Sequence, residues 1–381
     1  MSPITQGSPI TFIRRAGDVA TFYGFRPIKE IERGIPATLR PRGPHTFATA
    51  AQTCAALMQA RAGEPVLAFY ATPSPTHLPP AHLPREIAEF GLQVIGSPES
   101  IGEVIIIKTL FAILTEWGVK APRIRINALG DRDSKARFER ELTAYLRRHA
   151  HELDDACRAR IGQAPCATYT CTNDVCREVL EGGPRAMNFL SEKSRAHFRE
   201  VLEHIEGLGF PYELDDLLVG DEREPRILFA IDLPEGDGTI MSSVGGRYDE
   251  YLRRTLNKKD TAAVSASIFF RKKGADRTSY ATPPQPAVPK VYFVQLGLRA
   301  KLQGLAVVDM LRQAQVPMSQ SFDAKSLAPQ LANARQMGVS HLLIMGQREA
   351  LDGTIILRST TNSSQTTLRI DALPRLLKTL R

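Results

Sequence analysis

The sequence predicts an antiparallel α+β core that carries a helical insertion, followed by a small α/β domain. Three features of the 381 residues point to this class: the patterns predict strands between helices in the first 273 residues, residues 153–210 look helical and form their own block, and residues 274–289 form a proline-rich break. The break, GADRTSYATPPQPAVP, has four prolines and no apolar periodicity, so we expect an extended linker.

These boundaries place the core at 1–273, its insertion at about 131–210, the linker at 274–289 and the second domain at 290–381. The core elements are predicted in chain order as an apolar helix at Ile101–Trp117 stopped by Gly118, a strand at Arg123–Asn127, a charged helix at Ser134–Glu152, two strands within Ile227–Val244 and a strand at Val264–Phe270.

The last 92 residues predict the order βαβαβββα, which is typical of a mixed sheet with crossover helices. Its predicted elements are a strand at Lys290–Leu296, a helix at Arg299–Ala314, a strand at Ser319–Phe322, a helix at Leu327–Met337 ended by Gly338, a strand at His341–Met345, an antiparallel pair at Thr354–Arg358 and Thr366–Ile370, and a closing helix with Leu373, Leu376, Leu377 and Leu380.

Positive charge is concentrated in this second domain. Residues 290–381 hold 12 Lys and Arg against 5 Asp and Glu, a net charge of +7, while the whole chain has +8. A basic module attracts phosphate backbones, and it also serves solubility, so charge alone leaves both interpretations open. No apolar run is long enough to span a membrane, and no signal peptide is recognisable.

Four of the five cysteines fall within 20 residues of the insertion: Cys157, Cys166, Cys171 and Cys176. Neighbouring cysteines are separated by 8, 4 and 4 intervening residues, so the last two pairs just meet the limit for zinc ligands. Residues 167–170 predict a strand, which favours buried free thiols over a metal site. Five cysteines do not form a disulfide framework, so a reducing cytoplasm is expected.

Several segments, in their order and spacing, resemble histidyl-tRNA synthetases over nearly the whole chain. They are Leu39–Pro41 before a helix, EIAEFGLQVIG at 86–96, RIRINALG at 123–130, SEKSRAHF at 191–198 and VGGRYD at 244–249. The resemblance implies a class II core with a helical insertion, a C-terminal anticodon-binding domain, a homodimer and tRNA as a partner. The candidate RNA-binding residues are Arg299, Lys301, Lys325, Arg335 and Arg348.

The segments that carry catalysis in that family depart from its pattern. Where the family has Leu-Arg-Pro-Glu-Gly-Thr, this chain places Arg42 at the acid's position, and a cation ~4 Å from the substrate's ammonium group costs ~4 kcal/mol at an effective dielectric of ~20. The window 74–78 lacks the arginine that clamps the ATP α-phosphate. Arg85 matches a second family arginine, whereas Glu89 stands where the family has Gln.

Two further family positions are altered. The histidine-specific box aligns with VGDEREP at 219–225, so that Gly220 occupies the position of the catalytic arginine and Arg223 lies out of register. At the third class II motif, Phe269 replaces a glycine that makes room for adenine, and Lys272 replaces an arginine that stacks on it. The pocket remnants are Arg40, Arg42, Arg85, Glu89, Gly245, Gly246, Arg247, Tyr248 and Lys272.

The leading hypothesis is a catalytically degenerate paralogue that binds tRNA or another RNA, or that regulates a partner enzyme, with no cofactor. The first alternative is an active but divergent histidine–tRNA ligase, which would use ATP and magnesium. The second is a regulatory subunit of a biosynthetic enzyme that senses histidine. The C-terminal domain and the altered histidine box disfavour this second alternative.

Overall fold

The computed structural model describes most of both predicted domains. The described residues are 9–40, 45–60, 64–72, 87–120, 122–220, 223, 225–233, 240–256, 261–271, 289–320, 326–362 and 364–379. The linker predicted at 274–289 lies outside them except for its last residue. Among the described residues, no helix combines the length and the apolar character needed to cross a bilayer.

The first 128 residues supply half of the strands of the larger sheet and the helices against it. In chain order they form α1 (Pro9–Phe22), β1 (Arg26–Pro27), α2 (Ile28–Arg33), α3 (Phe47–Ala60), β2 (Val66–Thr72), β3 (Ile87–Ile95), α4 (Ile101–Glu116) and β4 (Arg123–Ala128). The helix predicted at Ile101–Trp117 is thus confirmed, and its burial on nearly all sides explains why its sequence is almost wholly apolar.

The insertion is a helical block with its own apolar cluster. It contains α5 (Arg132–Arg148), α6 (Asp155–Arg160), α7 (Asp174–Glu181) and α8 (Glu192–Gly207), and it leads into β5 (Tyr212–Leu214). Side chains of α5, α6 and α7, including Phe138, Cys157 and Leu180, form a core separate from that of the sheet. The strand predicted at residues 167–170 is wrong, because Pro165–Thr170 forms a 3₁₀ helix.

The remaining core elements complete the sheet: β6 (Ile227–Asp232), β7 (Ile240–Arg247), α9 (Asp249–Leu256) and β8 (Ala263–Arg271). Eight described strands follow the order β1-β2-β3-β8-β7-β6-β4-β5. Every pairing is antiparallel except β1 with β2 and β4 with β5. The antiparallel α+β core predicted from the sequence is therefore confirmed.

The two faces of this sheet have different coverings. Because side chains alternate along a strand, directly paired residues share a face. On the face that we call the back, Phe90 and Ala266 pack with Phe12 of α1 and with Ile106 of α4. On the opposite, front face, Ala68 and Tyr70 pack with Ala51 and Cys54 of α3.

The C-terminal residues form a second sheet with the predicted mixed topology. Its elements are β9 (Val291–Gln295), α10 (Leu298–Gln313), β10 (Met318–Gln320), α11 (Leu327–Met337), β11 (His341–Met345), α12 (Gln347–Asp352), β12 (Thr354–Ser359), β13 (Gln365–Arg369) and α13 (Leu373–Thr379). The strand order is β10-β9-β11-β12-β13, with β10, β9 and β11 parallel. The predicted order missed α12, a six-residue helix too short to show periodicity.

Charged side chains join the second sheet's first helix to the core. Asp309 on α10 accepts a hydrogen bond from the Tyr23 hydroxyl at 3.1 Å and lies 3.4 Å from Lys108 of α4. Arg312, also on α10, pairs with Glu116 at 2.7 Å. These contacts are partly buried, so they fix how α10 packs against α1 and α4.

Candidate functional site

Three central strands bring a set of polar side chains together on the front face. Pairing in register aligns Tyr70 of β2 with Gly91 of β3, and Gly91 with Ser267 of β8. Glu89 and Phe269 form the neighbouring pair on the same face. This alternation explains how residues far apart in sequence meet around one carboxylate.

Glu89 is fully buried and is held by hydroxyl groups. The Tyr70 hydroxyl donates to its Oε1 at 2.8 Å, and the Ser267 hydroxyl donates to the same oxygen. Burial raises the pKa of Glu89 to about 7, against the lowering effect of the hydrogen bonds from Ser267 and Tyr70 and of the Arg223 charge. The group therefore titrates close to neutral pH, unlike a solvated glutamate.

The space around Glu89 is filled by aromatic rings. A Cβ at Gly91 would lie 2.2 Å from Cζ of Tyr70, so glycine is what allows this ring to lie across β3. Phe269, expected from the sequence to occupy nucleotide space, is 1% exposed and lies beside Glu89 on the front face. Burial, with the Glu89 charge and hydrogen bond, also raises the pKa of Tyr70, so its phenol remains a donor.

Arg223 enters the same region, although the sequence register placed it outside the family's catalytic position. Its guanidinium lies 4.7 Å from the ring centroid of Tyr248 and 5.0 Å from that of Phe47. The side chain is 9% exposed, so these cation–π contacts are largely shielded from water. Gln93 of β3 donates from Nε2 to the Phe47 carbonyl at 2.7 Å and so fixes the start of α3.

Arg247 does not belong to this group, because its side chain lies on the back face. It makes a bidentate pair with Glu103 of α4, in which Nε–Oε1 and Nη2–Oε2 are both 2.6 Å, and it also contacts Asp249 at 3.4 Å. His197 of α8 lies 2.9 Å from Glu103. Burial alone would raise the pKa of Glu103, but Arg247 and His197 lower it to about 2. The structure thus places Arg247 in a buried ion pair on the back face, which corrects the expectation that this residue lines the pocket.

The two glycines expected to floor the pocket face opposite sides. A Cβ at Gly245 would lie 2.5 Å from both Ala266 and Phe229, on the back face. A Cβ at Gly246 would lie 2.4 Å from the Ile227 carbonyl and 3.4 Å from the Tyr248 ring, on the front face. Both positions are therefore filled by the protein itself, which corrects the expectation of an open glycine floor.

The other expected pocket residues are dispersed or lie outside the described part of the chain. Arg40 is exposed and donates to the Ile35 carbonyl, with its Nη2 at 3.1 Å, so it closes its own turn. Arg42, Arg85 and Lys272 lie outside the described residues.

A wide groove opens away from Glu89. Its volume is about 690 Å³, and it runs between the start of α5 and α9, at the opposite end of β3. Charged residues of both signs line it, including Arg132, Lys135, Arg253 and Glu250. The open volume and the buried carboxylate are therefore in different places.

The basic residues of the second domain divide into two edges of its sheet. Arg299 lies in the first turn of α10, after β9, and Arg348 lies in the first turn of α12, after β11; both are exposed. Since β9 and β11 are parallel neighbours, both arginines lie at the carboxyl edge. Arg335, in the last turn of α11, is exposed at the opposite edge. Lys301 is buried, which removes it from the surface set, and Lys325 lies outside the described residues.

The four cysteines of the insertion do not all converge. Cys157, Cys171 and Cys176 meet at the Asp154 carboxylate. Cys166 lies apart, with its Sγ 3.7 Å from Oε1 of Glu139. The structure thus brings together three cysteines and an aspartate, and not the four cysteines considered from the sequence. Spacing between cysteines alone does not reveal the aspartate.

Comparison with known proteins identifies relatives over both sheets. A family model described as an anticodon binding domain matches residues 290–380. The histidine–tRNA ligase of Chlorobium phaeovibrioides is 29% identical over 310 residues, 79% of this chain and 71% of that protein. That of Bacillus velezensis is 26% identical over 353 residues, 92% of this chain and 83% of that protein.

Among solved structures, apo histidyl-tRNA synthetase from S. aureus aligns with 94% of this chain and 93% of its own, at 20% identity and a TM-score of 0.47. The chain is therefore similar to histidine–tRNA ligases over most of its length, and its residues 290–380 match an anticodon binding domain.

Proposed function

We propose that this protein binds tRNA through its C-terminal domain and does not activate histidine. The observation that carries the proposal is the closure of the front face. Glu89, Ser267, Phe269 and Tyr248 are each no more than 4% exposed. A pocket prepared for an amino acid and a nucleotide would leave its lining side chains accessible.

The described residues of this face do not fit ATP and magnesium. Phosphate groups need cations or backbone N–H donors, whereas a carboxylate with a raised pKa and an aromatic ring occupy this part of the sheet. Among the described residues of this group, Arg223 is the one cation. Its guanidinium already contacts two aromatic rings, and its charge lowers the pKa of Glu89. We therefore assign no catalytic step to these residues.

Binding of tRNA is supported by the exposed carboxyl edge of the second sheet. Arg299 and Arg348 there lie in the first turns of α10 and α12, and the dipole of the 16-residue helix α10 adds positive potential beside Arg299. An arginine that contacts phosphate releases condensed counterions, so binding should weaken steeply with salt. The name of the family model and those of the relatives support tRNA as the RNA, and the family supports a homodimer, which sedimentation velocity would test.

The double variant Arg299→Glu/Arg348→Glu should weaken tRNA binding roughly tenfold and lower the salt slope by about 1 per lost phosphate contact. The measurement is filter binding of total tRNA across a salt series, with aminoacylation by histidine followed in parallel. Arg33→Glu is the matched control, because Arg33 is exposed on α2 of the core.

We expect salt-sensitive binding by the wild type, no charging, and no effect of the control substitution. Equal loss in Arg33→Glu and in the double variant would contradict the assigned edge. Absence of tRNA binding by the wild type would overturn the RNA-binding part of the proposal and direct attention to protein partners.

The alternative of an active, divergent ligase has one observation in its favour. Arg223 lies near Glu89 and Tyr248, and so supplies a cation where the sequence register places Gly220. Histidine charging in the same assay would establish this alternative, and Arg223→Met should then abolish it.

A further inference from the structure

A cluster of three thiols and one carboxylate lies in the insertion, far in sequence from the Glu89 face. The Sγ atoms of Cys157, Cys171 and Cys176 and a carboxylate oxygen of Asp154 all lie within 4.8 Å of one another. Cys157 and Cys176 are fully buried, whereas Cys171 and Asp154 are half-buried. We propose that these four residues bind one structural zinc ion.

The distances suit a single tetrahedral ion. With Zn–S of ~2.3 Å and Zn–O of ~2.0 Å, the edges of the tetrahedron are ~3.8 Å between sulfurs and ~3.5 Å from sulfur to oxygen. The observed distance from Cys171 Sγ to Asp154 Oδ2 is 3.4 Å. Ligand atoms this close together surround one ion and not a multi-iron cluster. Three thiolates favour zinc over magnesium or calcium.

The spacing of the ligands along the chain also suits zinc. Asp154 and Cys157 are separated by two residues, and Cys171 and Cys176 by four, which are the separations of the paired ligands in structural zinc sites. The 3₁₀ helix Pro165–Thr170 turns the chain between the two pairs. This turn brings Cys171 to Asp154 and leaves Cys166 beside Glu139.

Backbone donors already orient the sulfurs and the carboxylate. The Asp154 N–H donates to Cys176 Sγ at 3.4 Å, and the Asn173 N–H donates to Cys171 Sγ at 3.5 Å. Asp154 Oδ1 accepts from the Cys157 N–H at 2.7 Å, which caps α6 and leaves Oδ2 for the ion. Outer hydrogen bonds of this kind fix metal ligands in place.

Bound zinc would join the start of α6, the 3₁₀ helix and α7, and so stabilise the apolar core of the insertion. Binding releases protons from the thiols as each becomes a thiolate, and no bond other than those to the metal forms. The proposal does not depend on tRNA binding or on catalysis.

The test is the metal content of the full chain, purified without chelator, and its spectrum after exchange of the metal for cobalt. We expect about one zinc per chain and the thiolate-to-cobalt charge-transfer band of a tetrahedral site. Cys171→Ser should lower zinc affinity by more than the roughly 10–100-fold that loss of an outer contact causes. Cys166→Ser is the matched control and should retain full occupancy.

Asp154→Asn separates metal binding from folding, because asparagine keeps the helix cap but is a poorer ligand. It should lose zinc affinity while the metal-free protein keeps its helical circular dichroism. Failure of the wild-type chain to bind added zinc or cobalt would overturn the proposal. So would a disulfide among the three cysteines in a denatured thiol count, or equal zinc loss in Cys166→Ser and Cys171→Ser.

Discussion

Two buried glutamates of the core, one on each side of the large sheet, differ sharply in how the protein treats their charge. Glu103, against the back face, makes a bidentate ion pair with Arg247 and a hydrogen bond with His197, and its pKa falls to about 2. Glu89, on the front face, has two hydroxyl donors and a more distant arginine, and its pKa rises to about 7. Both carboxylates are fully buried, so burial alone does not explain the difference.

The comparison shows that a compensated buried charge holds elements of the core together at Glu103, whereas the charge of Glu89 is only partly compensated. The Glu103 pair joins α4, β7 and α8, and its partners compensate the carboxylate charge. Glu89 is compensated incompletely, at the place where the family resemblance locates the substrate pocket. A carboxylate that takes up a proton near neutral pH needs neither substrate nor metal to remain buried.

The largest expected effect comes from breaking the back-face pair. Glu103→Gln leaves the buried guanidinium of Arg247 without its counter-charge, and should lower the free energy of unfolding by about 3–5 kcal/mol at pH 7.5. Since the folded pKa of about 2 is below the ordinary value of 4.5, the carboxylate's contribution is present above pH 4.5 and is lost as the pH falls toward 2. Denaturant unfolding across pH measures this, and a loss below 1 kcal/mol at pH 7.5 would contradict the account.

Glu89→Gln should have the opposite sign at neutral pH. The folded pKa of about 7 exceeds 4.5, so the stabilising contribution of Glu89 is complete below pH 4.5 and is lost as the pH rises to 7. The amide avoids this loss, so the variant should be more stable than the wild type at pH 8 by about 3 kcal/mol.

Near pH 4.5 the advantage of Glu89→Gln should vanish. Thermal unfolding at the two pH values gives the measurement, with Glu103→Gln as the matched carboxyl-to-amide control. Equal stability of the wild type and Glu89→Gln at both pH values would show that Glu89 stays ionised with adequate partners.

Arg223→Met should have the smallest of the three effects and should sharpen the comparison. It removes cation–π contacts with Tyr248 and Phe47, for a loss of about 1–2 kcal/mol. It also removes the positive charge that lowers the pKa of Glu89, so the titration midpoint in the stability profile should move above 7. Arg226→Met, which breaks a pair with Asp249, is the control and should leave that midpoint unchanged.

Local patterns in the sequence were sufficient for much of the fold. The helix Leu327–Met337 was predicted with its end, because Gly338 adopts the left-handed conformation with φ of 64°. The antiparallel pair of β12 and β13 was also predicted from alternation. Residues 167–170 were mistaken for a strand, because the short 3₁₀ helix at Pro165–Thr170 has no periodicity to distinguish it.

The candidate sites depended on contacts between distant residues, which the sequence does not display. Arg247 was expected in the pocket, but its partner Glu103, which holds it on the back face, lies 144 residues away in the sequence. Arg223 contacts the rings of Tyr248 and Phe47, two residues that lie far from it in the sequence. Asp154 was missed as a companion of the cysteines, since a lone aspartate before a helix is read as a cap.

The most direct measurement of the central claim is histidine-dependent ATP–pyrophosphate exchange on the purified wild-type protein. A curated histidine–tRNA ligase, such as that of Bacillus velezensis, serves as the positive control in the same buffer. Exchange at background, from a protein that still binds tRNA in a salt-sensitive manner, is the result that the closed front face predicts. Exchange above background that requires histidine would contradict it and would identify the chain as an active ligase.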